Sequence, residues 1–309
     1  MRDESLNYKV PHVVMGCDGF VDFCAREPRQ SHMVSAQYAY RMLMLGYRWG
    51  IRSFDFSYCP HMLLAIKRFR SCGKKISCFA NPNWRCGVIL DDKDLIDLRS
   101  RVIKTLLFRL LGSKDLEEIE HLPSEVREFW FAHDRRADCL SDHEVTRITL
   151  NIVEYESRIK KVADIAEYCL VGTDIGDWLI CLKRLDIIET MCTIIEHHGM
   201  IPFAITHWPS RTLPVLETLP FAGYWCMLNP DALLFSPDGV CRALERATRP
   251  VFAFSVLRGH ETSEKEIEQV INTVLKLPNV DSLVIGLKTR QEMVQTMPIV
   301  HHAVKRRWA

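Results

Sequence analysis

Eight short apolar runs, each bounded by turn residues and most of them separated by roughly 22 to 35 residues, constrain this chain more than any other feature, because that interval holds one crossover helix and two loops of a right-handed βαβ unit. The runs are His12 to Gly16, Ile51 to Phe56, Lys75 to Ala80, Tyr168 to Gly172, Ile201 to Thr206, Gly223 to Leu228, Pro250 to Ser255 and Asp281 to Gly286. Eight such strands alternating with helices predict an α/β fold, a closed (β/α)8 TIM barrel, with a doubly wound sheet as the competing arrangement. Ser35 to Leu45 is rich in helix formers and is expected to end at Gly46 in a left-handed cap. Ser263 to Glu266 and Thr289 to Glu292 read as capping boxes that open the last two helices, and Ser141 to Glu144 repeats the device earlier.

The chain has 309 residues, whereas a barrel of ordinary size needs only about 250. The surplus falls between Ala80 and Tyr168, an interval too long for one crossover. The expected organisation is a single barrel domain over 1–309, with residues 91–165 as a helical insertion or embellishment between the third and fourth strands. Such a segment either thickens the wall or forms a lid over the mouth.

Forty Lys and Arg stand against thirty-nine Asp and Glu. No broad cationic face is expected, so nucleic acid and membrane are not expected partners; a small-molecule substrate is. Oligomeric state is left open. Met1 to Lys9 lacks the apolar core of a secretory signal, and no run approaches the roughly 18 apolar residues of a membrane span, which points to the cytoplasm. Twelve cysteines are dispersed without a CxxC pair, as expected of reduced residues that behave as small hydrophobes.

Barrel strands converge at their C-terminal ends, where Asp18, Asp55, Asn81, Asp174, His207, Asn229, Arg258 and Lys288 form a ring of polar groups. Asp55, at the end of a buried run, reads as a catalytic carboxylate or as a cap for the helix beginning near His61. Tyr58 is a proton donor if a nearby cation acidifies its phenol, and otherwise a packed rim residue. His207 is a general base, a metal ligand or an orienting donor, with Trp208 as an apolar wall, or else a buried hydrogen-bonded histidine. Asp18, Asp55, Asp174, Asp177 and His207 form an acceptable ligand set for a divalent ion, yet HExxH and zinc-finger spacings are absent and no metal site is assigned. Gly172 to Asp177 has phosphate-loop glycines, but its two aspartates repel phosphate, and the segment reads as a turn. Trp84, Trp130 and Trp178 read as an adhesive rim for a protein partner or as buried core. No GxGxxG follows a strand.

Three segments carry a family resemblance. Gly50 to Tyr58, GIRSFDFSY, resembles the second strand of the aldo-keto reductases. Val280 to Glu292 is similar to that family's last strand and the helix start that grips the cofactor, and Pro250 to Gly259, PVFAFSVLRG, resembles its seventh strand and the loop over the cofactor pyrophosphate. The resemblance implies an eight-stranded barrel and NADPH-dependent reduction of a small carbonyl compound. It matches Asp55 to the family's aspartate and Tyr58 to its tyrosine, about two residues nearer than the family spacing. It implies cofactor contacts from Asn229, Ser255, Leu257, Arg258, Lys288, Thr289 and Arg290. The family's lysine and histidine have no counterpart: the third strand ends at Asn81 and the fourth at Asp174. A metal-assisted lyase, isomerase or hydrolase and a noncatalytic ligand-binding barrel remain the alternatives.

Overall fold

The computed structural model describes residues 10–21, 34–82, 85–120, 137–229, 237–257 and 263–308. In chain order, β1 (Val13–Gly16), α1 (Ala36–Arg48), β2 (Ser53–Ser57), α2 (Pro60–Ser71) and β3 (Ser77–Asn81) form the first units. An interval follows with β4 (Val88–Leu90), β5 (Lys93–Asp94), α3 (Arg99–Glu120), α4 (Asp142–Thr146), β6 (Thr149–Leu150) and α5 (Ile152–Ala163). The rest is β7 (Tyr168–Val171), α6 (Thr173–Cys181), α7 (Leu185–His197), β8 (Ile201–Thr206), α8 (Pro209–Leu216), β9 (Tyr224–Met227), α9 (Pro237–Glu245), β10 (Val251–Phe254), α10 (Glu264–Leu275), β11 (Val280–Gly286) and α11 (Arg290–Trp308).

Strands β1, β2, β3, β7, β8, β9, β10 and β11 pair in that order and close back on β1, with every pairing parallel. The fold is therefore the expected (β/α)8 barrel and not an open doubly wound sheet. Strands β2, β7, β9 and β10 are buried at every position, since helices cover their outer side and barrel side chains fill the inner one. Aromatic rings plug the barrel axis. Phe79 lies 4.6 Å from Tyr168, 5.3 Å from Phe203 and Trp225, and 5.5 Å from Phe252, ring centre to ring centre. Edge-to-face and offset contacts of this kind add to the burial that each ring supplies.

Capping boxes at Ser141–Glu144 and Ser263–Glu266 open α4 and α10 as expected. Three local expectations change. The helix after Ser35 runs through Gly46 to Arg48, and Gly46 is a packing position where a Cβ would crowd Met15 Sδ; the left-handed glycine is Gly50, at φ +90°. Gly172 to Asp177 is not a turn: Gly172, also at φ +90°, turns the chain directly from β7 into α6. Between β3 and β7 the chain also carries a small antiparallel sheet, β5-β4-β6, beside its helices. Trp178 is buried in α6, and Trp84 and Trp130 lie outside the described residues.

Cys72, Cys78, Cys86, Cys139, Cys169, Cys181, Cys192, Cys226 and Cys241 are free thiols. Burial pushes the Cys78 thiol up to about 12 and that of Cys86 up to about 11, so both stay protonated. Among the described residues no helix is long and apolar enough to cross a membrane.

Candidate active site at the barrel mouth

Above the aromatic plug a cavity of about 340 Å³ opens at the C-terminal end of the barrel. Its deep end is formed by Asp55, Asn81, Leu170, Ile205 and Trp225; it continues past Phe254, Val256, Leu257 and Lys288 to Ile267 of α10 and Glu292, Gln295 and Thr296 of α11. The long axis thus runs from the barrel centre to the cleft between the last two helices.

Asp55 is 3% exposed and accepts a hydrogen bond from the backbone N–H of Cys17, just past β1. Asp55 does not cap α2, whose cap position is Cys59 with no side-chain bond. Asn81, also buried, ends β3 opposite Ser57 of β2, at the strand end where the resembling family has lysine.

Tyr58 is not among the described residues that line the cavity. Successive strand residues point to opposite faces, so a tyrosine three positions after the inward Asp55 turns outward. Its hydroxyl accepts from Lys161 Nζ of α5 at 2.8 Å, and the Arg158 guanidinium lies 5.7 Å from the ring centre. A cation therefore meets the phenol, but on the wall side of the barrel.

His207 follows β8 and belongs to a separate buried cluster. Its Nδ1 lies 3.1 Å from both Asp174 Oδ1 and Asp177 Oδ2, and its backbone N–H donates to Asp177 at 2.8 Å. Thr206 Oγ1 also donates to Asp177, at 2.7 Å. The two aspartates reach one nitrogen because they sit three apart on α6. Burial raises the Asp174 carboxyl above its usual range, with His207 and Arg99 pulling the other way. The His207 ring meets Phe254 edge-on at 5.2 Å, which sets this cluster behind a ring that lines the cavity. The suggested metal set is thereby divided between two places. Among the described residues no group of three His, Cys, Asp or Glu is arranged to hold a metal ion.

Of the residues assigned to the cofactor, Ser255, Leu257 and Lys288 line the cavity. Asn229 is fully buried and donates to the Val256 carbonyl at 2.6 Å, so it holds the loop after β10 and does not itself line the cavity. Ser255 stands at φ +51° in that loop. The Lys288 side chain lies over Gly19, where any Cβ would collide with it. Thr289 caps α11 through Oγ1, which accepts from Glu292 N–H at 3.1 Å, while the Glu292 carboxylate accepts from Lys288 N–H at 2.7 Å. Arg290 faces away from the cavity into a second depression beside α1. Arg258 lies outside the described residues, and Asp18 opens one 3-10 turn after β1.

Sequence reasoning missed Trp225, Phe254, Gly286 and the α11 face with Gln295 and Thr296. Gly286 had a signal, a glycine ending an apolar strand. It lines the cavity, and a Cβ added there meets nothing within 4 Å.

No family model and no curated protein matches this sequence. Solved structures do. A Pseudomonas aeruginosa protein provisionally described as an aldo-keto reductase superposes with a TM-score of 0.55 at 12% identity, covering 95% of this chain and 90% of that one. A second structure with that description, from the same bacterium, gives 0.53 at 11% identity with the same coverage. At such identities the likeness is one of fold: the chain has the closed (β/α)8 barrel of these aldo-keto reductase-like proteins, the architecture its second, seventh and eighth strands resemble.

Proposed function

We propose that the barrel mouth binds NADPH and reduces a small carbonyl compound. The observation that carries this reading is the extended cavity, which joins a polar end at Asp55 and Asn81 to the cleft between α10 and α11 and passes Lys288 on the way. A ligand with a flat redox head, an anionic middle and a distant second ring has that outline. The residues present fit it: Gly286 leaves bare backbone on the cavity wall, and Lys288 supplies a cation.

When bound, the cofactor supplies hydride. Leu170, Ile205, Trp225 and Phe254 exclude water and hold a flat ring. The Asn81 amide donates a hydrogen bond to the substrate carbonyl oxygen, where negative charge develops. Asp55, held by the Cys17 N–H, places its carboxyl group at the deep end. His207, with Nδ1 held between Asp174 and Asp177, lies behind Phe254, so the product alkoxide would take its proton from water at the open mouth. Tyr58 has no part in this scheme.

The test is consumption of NADPH in the presence of a panel of small aldehydes and ketones, with Asp55→Asn as the control. Turnover that the substitution reduces at least tenfold supports the reading. Absence of both binding and turnover overturns it. Tight binding without turnover supports instead a ligand-binding barrel, which the outward Tyr58 and the uncharged Asn81 favour.

A further inference from the structure

The near-zero balance of charge over the whole chain conceals a segregation. Between Ala36 and Lys75 the sole acidic residue is Asp55, buried in the barrel, whereas the same stretch carries Arg41, Arg48, Arg52, Lys67, Arg68, Arg70, Lys74 and Lys75. Helices α1 and α2 pack side by side, with Arg52, Arg68 and Lys74 gathered on Tyr40 and Tyr47 of α1, while Arg41 and Arg48 of α1 line an adjoining depression. Arg70 is paired, with Glu167 at 2.6 Å. Arg41, Arg48, Lys67, Lys75 and Arg290 form no ion pair among the described residues, and all five are exposed.

The face is ordered as well as charged. Arg68 lies 4.5 Å from the Tyr40 ring centre, and the Tyr47 ring has Arg52 at 3.8 Å and Lys74 at 5.2 Å. Such contacts hold the cations against the protein surface and reduce the side-chain entropy lost on meeting an anion. Between α1 and the start of α11 lies an open depression of about 630 Å³, lined by Arg41, Arg48 and Arg290 with Tyr38 and Tyr40. Arg41 and Arg48 stand two turns apart on α1, about 10 Å along the axis.

We propose that this α1–α2 face binds a single nucleic-acid strand through its phosphates, with a base against Tyr38. Several cations spaced along one surface match a polymer of regularly spaced anions, and a tyrosine in the adjoining depression suits an unstacked base. An anionic membrane fits less well: among the described residues of α1 and α2 the large exposed hydrophobic side chains are Tyr38 and Leu64, too little apolar surface for insertion beside a concave depression.

The experiment is fluorescence anisotropy of a labelled oligouridylate over a salt series, with wild type, the double variant Arg41→Gln/Arg48→Gln and, as control, Lys93→Gln on β5. Each phosphate contact contributes a slope of about −0.7 in log K against log salt for a single strand. The double variant is expected to flatten the wild-type slope by about 1.4; the control is expected to leave it unchanged. The substituted residues are exposed, and circular dichroism checks that the variants fold. No binding at low salt, or an unchanged slope in the double variant, overturns the proposal. So does displacement of the strand by NADPH, which would place it in the barrel mouth, and so does tighter binding to phosphatidylserine vesicles than to the oligonucleotide.

Discussion

Lys161 Nζ donates to Tyr58 Oη at 2.8 Å, and this bond holds the tyrosine on the wall side of the barrel while Asp55, three residues earlier, lines the cavity. The aspartate and the tyrosine that the resemblance pairs are thus separated by the strand itself. Tyr58→Phe should leave kcat/KM within twofold and cost about 1 kcal/mol of stability, the usual value of one hydrogen bond. Steady-state kinetics and denaturant unfolding check both; a fall of a hundredfold in kcat/KM would return Tyr58 to the chemistry.

Asp55 carries a stability consequence separate from its chemistry. Asp55→Ala leaves the Cys17 N–H buried without its acceptor, at a cost of about 1 to 3 kcal/mol. Asp55→Asn keeps an acceptor oxygen and should recover most of that loss while remaining slow in turnover. Chemical denaturation of the two variants side by side separates the roles, and equal destabilisation would mean that the carboxylate charge itself holds the fold.

Asp174 gives a pH dependence of definite sign. Its carboxyl is raised by burial, so the native state binds the proton more tightly than the unfolded chain, where the value is about 3.9. This group's contribution therefore falls as pH rises from that value through the raised native one. Asp174→Asn removes the trend. Relative to wild type, the variant should gain stability between about pH 4 and neutrality, read from denaturant midpoints. A constant difference across that range would show that His207 and Arg99 offset the burial in full.

Much of the barrel is legible because a strand buried on both faces must be an apolar run, and residues such as Phe54 and Phe56 leave no other reading for β2. The sheet β5-β4-β6 is not, since strands of two or three residues carry no periodicity. The outward turn of Tyr58 was available from strand parity, but its partner Lys161 comes from a helix 103 residues away. Asn229 reads as a mouth residue from its place after β9, and only the folded loop shows that it braces Val256. The paired contact of Asp174 and Asp177 with His207 required knowing that Gly172 starts a helix, which its positive φ permits and its sequence disguises as a turn.

The cavity is the centre of the account, and Gly286 offers the cleanest way to close it. A valine there adds atoms where nothing lies within 4 Å of the new Cβ, so the fold should keep its melting temperature while the cavity is blocked. Isothermal titration of NADPH into wild type and Gly286→Val is the direct measurement. The account predicts saturable binding by wild type and at least tenfold weaker binding by the folded variant; no binding by either protein, or equal binding by both, would contradict it.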